Sequence, residues 1–148
     1  MKDKLTICTK YMLDVMFFGG IIVTICVPFI IHFYGNYNSY FADNLIPLSI
    51  LFIISGILAV LIIFELRCMF QSVLEDDCFT MANVKSLNRM GTYSLLIVPL
   101  SAGRLFLYIT PSVVIVALVF LIAGLFSKVL SHVFDKAVHY KLENDLTI

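Results

Sequence analysis

The chain has 148 residues, 61% of them hydrophobic and only 14% charged, with a formal net charge of zero. A soluble domain carries about 45–50% apolar and about 25% charged residues, so this composition, with a mean hydropathy of +1.01, excludes an ordinary soluble fold and indicates an integral membrane protein. Zero net charge argues neither for nor against a nucleic-acid surface; where the charges lie is more informative than their sum.

Four apolar stretches reach the roughly 20 helical residues that a bilayer crossing needs. The first runs from about Met12 to Tyr34, after Lys2, Lys4 and Lys10. It is far longer than the roughly 7–15-residue core of a secretory signal, and no Ala-x-Ala-like site follows, so an uncleaved span is expected. The connection GNYNSYFADN, Gly35 to Asn44, has no Lys or Arg. With Tyr34 it supplies Tyr37, Tyr40 and Phe41, an aromatic cluster of the kind enriched at a membrane–water interface. The second span covers about Ile46 to Leu66. Its LFIISGILAVLIIF run lacks the period of two that a membrane β-strand shows, which leaves a helix. The third, about Thr92 to Ile109, is interrupted by Pro99 and Arg104, and the fourth runs from about Pro111 to Phe134. Pairs of small residues, Gly20 with Thr24 and Ala117 with Gly124 among them, predict close helix packing.

Basic residues set the expected orientation. Three precede span one, three (Arg67, Lys85, Arg89) lie between spans two and three, and three (Lys128, Lys136, Lys141) sit at or beyond the end of span four; only Arg104 falls elsewhere. Both termini and the central polar segment are therefore expected in the cytoplasm. Cys8, Cys68 and Cys78 then lie on the reducing side, where disulfides are disfavoured. The spacing of Cys68 and Cys78 is not a CxxC and no His is near, so no metal site is expected.

SVLEDDCFTMANVKSLNRMG, Ser72 to Gly91, is the longest polar run. The helical pattern of span two continues into it, with Leu66, Phe70, Val73 and Leu74 keeping an apolar stripe. Glu75, Asp76 and Asp77 end that helix with like charges where the helix dipole disfavours acids. Thr80 is placed as an N-cap for a second helix, its hydroxyl accepting from the N–H near Asn83. Phe79 is placed to reach Val84 as a hydrophobic staple. Val84 and Leu87 share one face of that helix, and Lys85 and Arg89 share another at i, i+4. A cytoplasmic helical hairpin over about residues 67–91 is expected, with a tail from about 135 to 148.

ELRCMFQSVLEDDCFTMANVKSLNRMG resembles the central signature of the bacterial domain-of-unknown-function family numbered 2975. That signature is a Leu-Arg helix end, an acidic or glycine turn, Pro-Phe-Thr, then Asn-Val and basic residues before a glycine. The tail VFDKAVHYKLENDLTI is similar to the family's closing pattern. Two departures stand out: Cys78 replaces the usual proline, and Asp76-Asp77 replaces a turn that commonly contains glycine. The resemblance implies a small four-span membrane protein. It assigns no activity, and its one functional hint is frequent encoding beside a small helix-turn-helix regulator.

Ionisable residues within a span are functional candidates because they are costly there. Arg104, about 12 residues into span three, is placed to snorkel toward Asp43 or lipid phosphate. Asp14 and Glu65, near the cytoplasmic ends of spans one and two, are placed to pair with Arg67 or Lys10. No HExxH, phosphate loop or GxSxG is present, so no catalytic residue, cofactor or enzyme activity is expected. The reading is an all-α, integral-membrane four-helix bundle in one domain, multi-pass in the cell membrane. The expected function is a regulatory or sensory subunit that holds a cytoplasmic partner, a helix-turn-helix transcription regulator, without touching nucleic acid itself. Thr80, Val84, Lys85, Leu87 and Arg89 are its candidate partner-binding residues. The alternatives are an immunity protein against a membrane-active peptide and, ranked lower, a small transporter or channel subunit.

Overall fold

The computed structural model describes residues 4–146; Lys2 and the last two residues of the expected tail, Thr147 and Ile148, lie outside them. Among the described residues the chain has five helices and no strand: α1 (Lys4–Gly35), α2 (Ser39–Asp43), α3 (Leu45–Leu74), α4 (Met81–Leu107) and α5 (Pro111–Leu146). All but α2 are long and apolar enough to cross a membrane, which fits a multi-pass membrane protein.

Each expected span is one part of a longer rod, which runs on beyond it toward one end of the molecule. α3 has 30 residues, about 45 Å at 1.5 Å per residue, against a hydrocarbon core of about 30 Å. It joins the second span and the first arm of the hairpin without a break. α4 likewise joins the second arm to the third span, and α5 joins the fourth span to the tail. Pro99 does not break α4, and Pro47 falls in the first turn of α3, where its missing N–H leaves no bond unmade. The third span ends at Leu107 rather than Ile109. Pro111 then opens α5 at a first helical position, which suits its fixed φ. The Gly35–Asn44 connection contains the short helix α2, capped by the Asn38 side chain accepting from the Tyr40 N–H at 3.1 Å.

The acidic end of α3 is closed by backbone geometry. Glu75 is the C-cap, and Asp76 takes φ +58°, the left-handed region. The Asp76 N–H donates to the Val73 carbonyl at 3.2 Å and the Asp77 N–H to the Ser72 carbonyl at 3.1 Å. That pair of bonds is a Schellman motif, which satisfies carbonyls the helix end would orphan. Glycine does this without steric cost, whereas aspartate does so under mild strain. Asp76→Gly is expected to raise the unfolding temperature, by up to about 1 kcal/mol of stability, and Asp76→Val to lower it. Thermal unfolding in detergent reads both. A destabilised glycine variant would mean that the Asp76 side chain matters more than its backbone.

Packing follows chain order: α1 lies on α3, α3 on α4, and α4 on α5. Among the described residues α1 touches neither α4 nor α5, and α3 does not touch α5. The all-α bundle is thus an open row of helices. α4 is the least apolar of the four long helices and has the most buried residues. Its buried stripe runs Val84, Leu87, Met90, Ser94, Ile97 and Ser101, at helical spacing. Lipid solvates leucine as well as protein does, so small and polar residues are the ones turned toward other helices. At the α4–α5 crossing Gly91 faces Gly124: a Cβ built on Gly91 would lie 3.0 Å from the Gly124 carbonyl oxygen. Sequence spacing pairs Gly124 with Ala117 on its own helix; its close partner across the interface is Gly91.

Candidate functional site

The chain concentrates its polar contacts at two ends. The basic end gathers the start of α1, the α3–α4 turn and the end of α5, and the tyrosine end gathers α2 and the α4–α5 connection.

At the basic end, Thr80 has extended backbone angles and its hydroxyl accepts from the Asn83 N–H at 3.3 Å, the expected cap. Asn83 itself is buried, and its amide donates to the Ser72 hydroxyl and to the Cys78 carbonyl, both at 2.6 Å. One side chain thus ties the end of α3, the turn and the start of α4. Sequence reading used only its backbone. The signal was available in a polar residue one turn after the cap, on the side of the helix that carries Leu87.

α5 braces the same turn. The Ser131 hydroxyl donates to the Val84 carbonyl at 3.0 Å, and the Lys141 ammonium donates to Asp77 at 2.7 Å. Phe79 packs on Phe134 of α5, with ring centroids 5.2 Å apart. Phe79 was expected to staple onto Val84; the ring contact it makes is with α5. The Asp77 hydrogen bond raises the Lys141 pKa above the usual lysine value. A raised cation contributes its full stabilisation below the unfolded pKa and loses it only as pH climbs through the raised one. The tie is therefore complete at neutral pH, though as an exposed pair it is screened by salt.

Five candidates from the sequence, Asp14, Glu65, Val84, Leu87 and Arg89, are ion-paired or buried here. Asp14 accepts from the Arg67 Nε at 2.6 Å, joining α1 to α3, as expected. The Arg67 guanidinium also sits 4.6 Å from the centre of the Phe17 ring. Glu65 is buried, and its partner is Arg89 of α4 at 3.3 Å, not Arg67 or Lys10. A buried carboxylate needs a cation within reach, and α4 brings one there. Val84 and Leu87 are buried in the chain's own packing. Of the charged face, Lys85 is exposed without an ion pair among the described residues, while Arg89 serves α3.

At the tyrosine end, Arg104 occupies the last turn of α4, where the helix dipole favours a cation. It was expected to reach Asp43 or lipid phosphate. Within the chain its guanidinium lies over the Phe52 ring of α3, 4.1 Å from the centroid. Tyr40 of α2 stacks near Tyr108, with centroids 4.9 Å apart.

The profile of the family described as "Protein of unknown function (DUF2975)" matches residues 16–148, nearly the whole chain. The chain belongs to this family. The match takes in the α3–α4 turn, both arginines of the ion pairs and Arg104, and leaves Asp14 just outside. No curated protein and no solved structure matched the chain. Within this DUF2975 protein, Asp14, Glu65 and Arg104 do not form one constellation: each acid is engaged by a different arginine, and Arg104 belongs to the opposite end.

Proposed function

We propose that this DUF2975 protein is a regulatory or sensory subunit of the cell membrane, with both termini and the α3–α4 turn in the cytoplasm. Its basic end would hold a soluble partner, of the helix-turn-helix class that the family resemblance suggests. The orientation rests on the basic residues, which among the described residues and apart from Arg104 gather at one end. The partner reading rests on one observation: three helices run past the apolar layer and are locked there by Asn83, Ser131 and Lys141. Helices that serve only to cross a bilayer need no such braced extension. With Val84 and Leu87 inside, the surface offered is polar, centred on Lys85 with Asn88 beside it on α4.

Lys85→Glu tests this without disturbing the fold, since Lys85 makes no ion pair among the described residues. Intact protein purified from native membranes is expected to bring a helix-turn-helix regulator with it. The Lys85→Glu variant, at equal abundance, is expected to lose most of that regulator, as rim-charge reversals do through slower association and like-charge repulsion. Equal recovery from both proteins would defeat the docking surface. Leu87→Asp serves as the contrast, because burying a charge there should reduce the amount of protein in the membrane.

A further inference from the structure

The tyrosine end holds a cavity of about 210 Å³ lined by Arg104, Tyr40, Tyr108, Phe52, Thr110 and Ser112, among others. Three features of its lining suit an anion. First, the Arg104 guanidinium has no carboxylate partner among the described residues. It lies over the Phe52 ring, a contact that engages none of its N–H donors in a hydrogen bond. Second, the Tyr40 hydroxyl is buried and has no hydrogen-bond partner among the described residues, and a buried polar group in that state is costly. Third, α5 begins here, so Thr110 and Ser112 place two hydroxyls beside a helix N-terminus, the positive end of its dipole.

A second cavity, about 310 Å³, adjoins it. Its lining is Val27, Ile30, Ile31, Tyr34, Phe41 and Phe52. Phe41 and Phe52 line both cavities. The cationic, hydroxyl-bearing chamber and an apolar groove against α1 and α3 therefore lie side by side, with Phe41 and Phe52 between them. Free phosphate would use only the first. A molecule with a phosphodiester and an acyl chain would use both.

The geometry points to a phospholipid site: Arg104, the Tyr40 hydroxyl and the hydroxyls at the start of α5 take the phosphate, and the Ile30–Phe41–Phe52 groove takes an acyl chain. The guanidinium fork binds phosphate oxygens bidentately, and the lipid phosphate gives the orphaned Tyr40 hydroxyl an acceptor. The ring of tyrosines sets the depth, at the level where headgroups meet the acyl region.

The full-length protein, purified in detergent, is first exchanged against vesicles of phosphatidylglycerol. Retained lipid is then read by native mass spectrometry. Wild type is expected to keep bound lipid. Arg104→Gln is expected to lower the retained fraction roughly tenfold or more, because a charge-assisted contact is lost. Tyr40→Phe, nearly isosteric, is expected to lower it less, at unchanged unfolding temperature. Ile30→Trp fills the groove without touching the charge and is also expected to reduce retention. If Arg104→Gln fails to fold, Tyr40→Phe and Ile30→Trp decide. A parallel titration uses inorganic phosphate alone in lipid-free micelles. Tight binding of inorganic phosphate that Ile30→Trp leaves unchanged, with no lipid retained, would overturn the lipid assignment. Equal lipid retention by wild type and all three variants would overturn the site.

Discussion

Gly124→Val is expected to separate α4 from α5 and to give a large loss of stability. A Cβ at Gly124 would lie 2.8 Å from Leu95 Cγ and 3.2 Å from the Gly91 carbonyl oxygen. Valine adds two methyl groups to that position, and the Gly91 backbone has no side chain that can move aside. Overpacking a tight contact costs about 1–3 kcal/mol, and the upper end applies where backbone meets backbone. α5 also carries Ser131 and Lys141 to the α3–α4 turn, so parting the crossing loosens the brace as well. Gly19→Ala is the control, since a Cβ there meets nothing within 4 Å, and alanine favours a helix by up to about 1 kcal/mol. Thermal unfolding in detergent should drop for Gly124→Val and hold or rise for Gly19→Ala. If the two variants unfold at the same temperature, the crossing is not closely packed.

Arg89→Ala is expected to destabilise the protein, and adding Glu65→Leu to restore it. The Glu65 side chain is 6% exposed, whereas that of Arg89 is 57% exposed. Removing one partner of a fully buried pair costs about 3–5 kcal/mol because the other charge is stranded. Water reaches the arginine here, so about 1–3 kcal/mol is the better expectation. Replacing the stranded acid with leucine removes the cause, and apolar replacement of a buried pair is often neutral or stabilising. A double-mutant cycle read by unfolding temperature measures the coupling. Additive effects of the two substitutions would show that the pair carries no stability. The same pairing governs the design of partner assays. Reversing Lys85 and Arg89 together would set a glutamate against Glu65, and any loss of partner would then be mixed with a loss of fold.

Much of the molecule was legible in one dimension. Hydropathy and length marked the four long helices, because a span must satisfy its own backbone bonds within a contiguous run. The apolar stripe through Leu66, Phe70, Val73 and Leu74 carried α3 past its span, and Thr80 marked the start of α4, because caps and stripes are set by residues three or four apart. The tertiary structure decided the rest. It gave Glu65 to Arg89, seated Arg104 on Phe52, set Gly91 against Gly124, and turned Val84 and Leu87 inward. Each of these joins residues on different helices, and no local periodicity encodes a partner on another helix. In an open row of helices, only the packing of one against the next selects which charge meets which.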